Sequence, residues 1–340
     1  MLDGINVMRT SPNARFARQI VETGQMFARH RLWSYDLVHG FGGPQVVLAA
    51  CIWARLFNIP TVREMTLDEP IQSETGLKGR VVRRSYTSAK KTIALTPGIA
   101  ATLRDIGVPP GDIHVRPNPV DTGHFRPQAS GDAASARDSF GISDNARLHV
   151  MVGRFMPRKN QHFAIDVLIR LPEHHHLLLV GPAFEDDQAY LADVHRRIGE
   201  TGLADRVHLL PTAVNDPLAV YHAADTLWLP SRREGLPNVA LEALCCGVPV
   251  IANAALELSD HIRNGENGAN VDLDADQFAQ NIIELEDVFS QDTTRRSIAA
   301  SAALLYGAEH LDAQFAELLS DLLKLRTNRA SHAARPQTIR

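Results

Sequence analysis

The chain has 340 residues, 44% of them hydrophobic, and a formal net charge of −4. That length suits two ordinary domains with separate cores, and the charge offers no global basic field for nucleic acid. Three cysteines, two of them the neighbours Cys245 and Cys246, make no disulfide framework. No apolar run reaches the roughly 18 residues of a membrane span and the N-terminus carries no signal pattern, so a cytoplasmic setting is expected.

In chain order, short apolar runs alternate with helical patterns, the signature of parallel sheets with crossover helices. DLVHGFGG (36–43) predicts a strand entering a glycine-bearing loop, 46–57 a helix, and IPTVREM (59–65) a second strand. KTIALTP (91–97) predicts a third strand, followed by a short helix to Ile106, and DIHVRPNPVD (112–121) a fourth. The small, polar stretch 128–138 reads as a linker or surface loop. A second series starts at RLHVMVGRF (147–155) and continues with strands at 176–181, 206–211, 226–230, 248–252 and 268–273. Helices are expected at 161–170, 187–200 and 216–223. Near the end, Leu311, Phe315, Leu318, Leu319, Leu322 and Leu323 share one helical face over 311–325. The remainder, 326–340, has a single core former and is expected to be disordered. The fold class expected is α/β, two Rossmann-like doubly wound domains.

Two segments carry chemistry. GRFMPRKN (153–160) breaks a strand at Gly153 and presents Arg154, Arg158 and Lys159 before a helix, a place where free N–H groups and the dipole already favour an anion. SRREGLPNVALEALCCGVPVIA (231–252) predicts a loop, a short helix closed by Gly247 in the left-handed region, and a strand. Pro237 suits the first turn and Asn238 can cap it. Backbone N–H groups of Gly235, Leu236, Asn238 and Val239 form a second anion cradle. Glu242, one turn into the helix, and Glu234, in the loop, can accept hydrogen bonds from diols on either side of it, as acidic residues do with ribose. A nucleotide diphosphate sugar satisfies all of these groups.

With those segments, the chain resembles the donor-binding half of the GT-B retaining glycosyltransferases, the glycosyl transferases group 1 (family 4). RPNPVDTGHFRP (116–127) is similar to that family's hinge. The resemblance covers about residues 36–325 and implies transfer of a sugar from a nucleotide donor to an acceptor hydroxyl with retention, in cell-surface glycan or glycolipid assembly. It implies that Arg154 and Lys159 neutralise the diphosphate, that Glu242 holds the ribose, and that Glu234 contacts the donor sugar and stabilises charge at the anomeric carbon. No cofactor and no obligatory metal are implied, the basic pair serving instead. DLDAD (272–276) reads as a solvated turn and helix cap. The domains expected are an acceptor-side domain at 1–125, a donor-binding domain at 126–310, a C-terminal helix at 311–325 and the tail.

The sequence also departs from that family. Only about 35 residues precede the 36–43 strand, which predicts an N-terminal domain incomplete by about two βα units. The family's histidine at the end of the second strand is missing from VREMTLDEP (62–70), and His39 reads as structural. LELSDHI (256–262) lacks the usual two glycines, with Asp260 placed to stand in for the acid. A catalytically silent paralogue that binds nucleotide sugar or a partner protein is the alternative reading. Residues 78–91, opening on Lys78 and closing on Lys91, hold six basic groups and no acid. They read equally as a solvated helix face and as a peripheral contact with anionic lipid or a lipid-linked acceptor. The run 174–176 reads as surface histidines, since it lacks helical i, i+4 metal spacing.

Overall fold

All strand pairings in the two sheets are parallel, because each strand is followed by a helix or a long connection rather than a hairpin turn. The computed structural model describes Val21, Gly24, Gln25 and residues 35–42, 44–66, 76–128, 136–214 and 217–333. The chain divides into two units, Met1–Pro117 with Leu311–Arg340, and Asn118–His310.

In the first unit, β1 (Val38–Gly40), α1 (Pro44–Leu56), β2 (Thr61–Met65), α2 (Gly76–Thr87), β3 (Lys91–Ala94), α3 (Pro97–Asp105) and β4 (Ile113–Val115) follow one another. The sheet order is β1-β2-β3-β4, with β1 at one edge among the described residues. All five residues of β2 are buried, as a parallel strand covered on both faces requires. Thr96 caps α3 by accepting a hydrogen bond from the Ile99 N–H, with Pro97 in the first turn. The fourth strand is three residues long, shorter than the sequence suggests, since Pro117 and Pro119 cannot donate to a ladder.

Two boundaries differ from expectation. The first break falls at 117/118 rather than 125/126, and the closing helix, α10 (Ala308–Ala333), rejoins the first unit from Leu311 onward. Leu322 is buried with Val62 and Ile93, flanked by Phe315 and Leu319, so the apolar stripe of this helix completes the first core. Residues 326–333, expected to be disordered, continue that helix; 334–340 lie outside the described residues.

In the second unit, β5 (Arg147–Val152), α4 (Gln161–Leu168), β6 (His175–Val180), α5 (Gln188–Thr201), β7 (Val207–Leu210), α6 (Leu218–Ala223), β8 (Thr226–Leu229), α7 (Asn238–Cys245), β9 (Val250–Asn253) and β10 (Gly268–Val271) are followed by α8 (Ala275–Phe289) and α9 (Asp292–Tyr306). The last two helices are additions to the sequence reading. Asp274 caps α8, accepting from the Asp276 and Gln277 N–H groups, as the DLDAD stretch suggests. The sheet order is β10-β9-β8-β5-β6-β7. Read from the other edge this is the doubly wound order in which the chain builds outward from one central strand and then reverses. The reversal lies between β5 and β8, which pair directly. Two glycines at element ends are sterically obligatory. A Cβ on Gly181 would stand 2.2 Å from the Gly153 carbonyl oxygen, and one on Gly247, at φ +77°, would stand 2.6 Å from the Arg295 carbonyl oxygen. Leu148, Val150, Leu177, Leu227 and Ile251 are fully buried, and the three cysteines are buried thiols.

Candidate active site

A doubly wound sheet opens a crevice at the carboxyl ends of the two strands flanking its reversal. Here these ends lead into residues 153–160, after β5, and 230–237, after β8. Close approach of Gly181 to Gly153 sets the departure of the first loop from β5. Asn160 then adopts the left-handed conformation, φ +65°, ahead of α4, and its amide donates to the Pro230 carbonyl at 3.2 Å. The Arg232 N–H donates to the Arg158 carbonyl at 2.8 Å, and the Arg158 guanidinium to the Arg233 carbonyl at 2.6 Å. The two loops are therefore tied together by backbone and side chain.

Their junction holds a three-charge cluster. Lys159 Nζ lies 2.7 Å from Glu234 Oε1, and Arg158 Nη1 lies 3.1 Å from Oε2. Glu234 is only 9% exposed. Burial pushes its carboxyl up, but the charges of Lys159 and Arg158 together with the Ser231 hydroxyl outweigh that and hold it below the usual carboxylate range. The pair is a buried carboxylate neutralised on two sides, one of whose cations, Arg158, remains 37% exposed.

Arg154 stands apart from this cluster. Its guanidinium grips Asp187 with two bonds, Nε to Oδ2 at 2.5 Å and Nη2 to Oδ1 at 2.9 Å, and stacks 4.8 Å above the Phe184 ring. Those bonds hold Asp187 below the usual carboxylate range. The Arg154 backbone carbonyl also accepts from the Gln161 amide at 3.1 Å. Asp187 lies 33 residues away in sequence, and nothing in its surroundings marked it as the partner.

In the second cradle, α7 begins at Asn238 with Pro237 in the capping position, so Asn238 is not the cap the sequence suggested. Its side-chain oxygen instead accepts from Asn118 Nδ2 at 2.6 Å, and the same amide points at the Leu236 carbonyl at 3.3 Å. Gly235 and Leu236 are buried, Val239 half-buried and Asn238 exposed. The first turn of α7 leaves its N–H groups without intrahelical acceptors, which is the physical basis of an anion cradle. Glu242 sits one turn further in, where its Oε2 accepts from the Tyr221 hydroxyl at 2.7 Å. Tyr221 is fully buried on α6 and Phe125 packs edge-on against it at 6.1 Å. Thus Lys159 and Glu234 share one cluster, Glu242 belongs to a pair with Tyr221, and Arg154 to a pair with Asp187. Sequence reasoning missed Tyr221, Asp187 and Asn118, and used Arg158 only as part of the basic loop.

In the first unit, His39 Nε2 lies 3.4 Å from Glu64 Oε2, and its ring packs 4.1 Å from Phe41 and 5.7 Å from Phe315. Arg63, 2% exposed, donates to the Gly42 carbonyl at 2.7 Å and lies over the Tyr86 ring. The described side chains of the basic stretch 78–91 differ in exposure. Arg80 and Arg84 are exposed on α2, whereas Lys91 is tied to Asp112 at 3.1 Å and to the Gly111 carbonyl.

Two Rossmann-like units with a polar crevice at a sheet reversal define a protein of GT-B type. The family Glycosyl transferases group 1 matches residues 132–302, and a Glycosyl transferase 4-like domain matches residues 3–119. The chain belongs to the glycosyl transferases group 1 family. It is 33% identical over 308 residues to a D-inositol 3-phosphate glycosyltransferase of Mycolicibacterium gilvum, covering 84% of this chain and 66% of that protein. It is 32% identical over 239 residues to the same-named protein of Mycobacteroides abscessus, covering 67% and 53%. The chain thus spans about two thirds or less of the length of these relatives. The fold is similar to that of Anabaena Alr3699/HepE in complex with UDP (TM-score 0.79, 23% identity, covering 89% of this chain and 82% of that one). It is also similar to sucrose-phosphate synthase from Thermosynechococcus elongatus (TM-score 0.79, 22% identity, 94% and 81%).

Proposed function

We propose that this chain is a retaining glycosyltransferase that takes a nucleotide diphosphate sugar at the crevice of the second unit and transfers its sugar to an acceptor hydroxyl. The observation that carries this reading is the convergence of Lys159 and Arg158 on buried Glu234 beside the open first turn of α7. A diphosphate arriving there meets cations already held in place, and charge-assisted bonds of that kind contribute about 1.5–3 kcal/mol each when water is excluded. In the reaction, the bond from the anomeric carbon to the diphosphate oxygen breaks as the bond to the acceptor oxygen forms on the same face, and the proton of the acceptor hydroxyl passes to the departing diphosphate oxygen. Lys159 takes up the negative charge appearing on the diphosphate. Glu234, kept ionised by its neighbours, offsets positive charge on the sugar ring.

Glu242, oriented by the hydroxyl of Tyr221, holds the ribose hydroxyls. Arg154 serves the diphosphate through the guanidinium N–H groups that Asp187 does not engage. Charge neutralisation by side chains makes a metal unnecessary for this step in our reading. The names of the relatives suggest a polyol phosphate as acceptor, and the UDP complex of the structural neighbour suggests a uridine donor. The exposed Arg80 and Arg84 of α2 are candidates for contact with an anionic acceptor or an anionic membrane surface, consistent with a role in glycan or glycolipid assembly.

The test is calorimetric titration of the 340-residue chain with UDP- and GDP-sugars beside a Glu242→Ala variant, followed by product analysis with inositol phosphate. Saturable binding that weakens in the variant is expected, with an axial or equatorial product linkage matching that of the donor. Absence of binding to every nucleotide sugar would overturn the reading. Binding without transfer to any acceptor would favour the catalytically silent alternative.

A further inference from the structure

At the other end of the six-stranded sheet, where its strands begin, the second unit carries a buried histidine chain that the donor site does not use. The sequence suggests that residues 174–176 are surface histidines. In the structure His175, on β6, is 1% exposed and fully enclosed. His149 of β5 bridges Thr226 and His175, with Nδ1 2.7 Å from Thr226 Oγ1 and Nε2 2.9 Å from His175 Nδ1. The His149 ring is stacked on Trp228 at 4.5 Å, which fixes its plane. His175 Nε2 is left with no hydrogen-bond partner and faces Glu286 Oε2 of α8 at 3.7 Å. The half-exposed His174 brings its Nε2 to 4.0 Å from Glu286 Oε1.

Two arrangements of the ring protons satisfy the chain. If His149 donates from Nδ1 to Thr226 and His175 donates from Nδ1 to His149, the Nε2 lone pair of His175 confronts a carboxylate oxygen. If the chain runs the other way, an Nε2–H points at Glu286 across a gap too long for a hydrogen bond. In the first arrangement a buried lone pair and a carboxylate oxygen face each other with nothing positive between them. We propose that His174, His175 and Glu286 form a binding site for a borderline divalent cation of the zinc type. One ligand atom from each residue lies within 4.8 Å of the other two, the spread that a single ion can draw together.

The first arrangement is also the one a metal selects. His149 and Thr226 fix the tautomer of His175, as outer partners of ligating histidines do, and Nε2 becomes the ligand. Arg147 already holds Glu286 Oε1, and a cation there would shift it toward Asp225, whose Oδ1 lies 3.8 Å away. That competition, together with the exposure of His174, makes the site one of modest affinity with an open coordination position. Its position at the strand starts, about 20 Å along a six-residue strand from the donor loops, gives it a role in clamping α8 to the sheet rather than in transfer.

The full chain, stripped with chelator, would be titrated with Co²⁺ while visible absorption is recorded, then with Zn²⁺ by competition. One equivalent with ligand-field bands of a four- or five-coordinate nitrogen–oxygen site is expected, displaced by Zn²⁺. With 15 histidines in the chain, the assignment needs variants. Replacing the solvent-facing ligand in His174→Ala leaves the core intact and is expected to weaken binding about tenfold or more. His176→Ala, whose ring pairs with His208 instead, is expected to leave it unchanged. Silence in the wild-type titration, or the same affinity in His174→Ala, would overturn the site.

Discussion

The two ends of the six-stranded sheet in the second unit both hold buried polar side chains, but they are stabilised in opposite ways. At the carboxyl end Glu234 is an ion, kept so by Lys159 and Arg158 on two loops tied by backbone bonds. At the amino end His149 and His175 are buried as neutral rings, linked to each other and to Thr226. The difference follows from access to water. At the carboxyl end the exposure of Arg158 lets the charged cluster keep part of its hydration. A region that locks strands together can desolvate its groups fully once they are neutral.

The largest effect is expected at Lys159. Lys159→Ala is expected to weaken nucleotide-sugar binding roughly 10- to 100-fold, the worth of a lost charge-assisted bond to phosphate, in the calorimetric titration. It also leaves Glu234 buried with one cation, so thermal unfolding should show a loss of about 3 kcal/mol, partly recovered when Glu234→Gln is added. Equal stability of the single and double variants would show that Arg158 alone suffices. Next, Gly181→Ala should cost about 3 kcal/mol in denaturant unfolding, since the new Cβ meets the Gly153 carbonyl and the loop after β5 has to move.

Smaller effects sharpen the contrast. Tyr221→Phe removes the hydroxyl that donates to Glu242 and is expected to weaken donor binding by several-fold, about 1 kcal/mol, with little change in melting. Thr226→Val at the opposite end should do the reverse, lowering stability by about 1 kcal/mol and leaving the donor affinity unchanged; a loss of affinity there would mean that the two ends are coupled. The smallest effect is in pH. The Glu234 carboxyl is held below its ordinary value of 4.5 in the folded protein, so its contribution is present in full above that pH and is lost as pH falls through the folded value. Acid unfolding followed by circular dichroism should therefore be shallower for Glu234→Gln below about pH 4.5.

Much of the fold could be read locally. Strand-length runs, helical stripes and the Gly247 stop are properties of neighbouring residues, and each strand of the second unit falls on a run the sequence marks, two of them, β6 and β9, reaching one residue beyond it. The misses have separate causes. The short β4 reflects prolines that end a ladder, and α8 and α9 are amphipathic helices that a strand-focused reading passed over. The closing helix was legible as an amphipathic stripe, but not as part of the first core, because that membership depends on Leu322 meeting Val62 and Ile93 across more than 200 residues of chain.

The candidate site divides in the same way. Residue types and spacing alone determined that a basic loop and a glutamate-bracketed helix follow two strands, because backbone preferences and the needs of an anion are local. Which charge meets which was decided only by tertiary structure. The reversal of the sheet between β5 and β8 put Lys159 against Glu234; the 33-residue reach from β5 to the start of α5 gave Arg154 to Asp187; and α6 supplied Tyr221 to Glu242. Likewise, the sequence placed three histidines in a row, and strand alternation with the packing of β5 and α8 turned the middle one into a buried group with an unanswered nitrogen. Partners in a buried polar pair are chosen by geometry at distances of a few ångströms, and sequence separation carries no information about that distance once the chain has crossed a sheet.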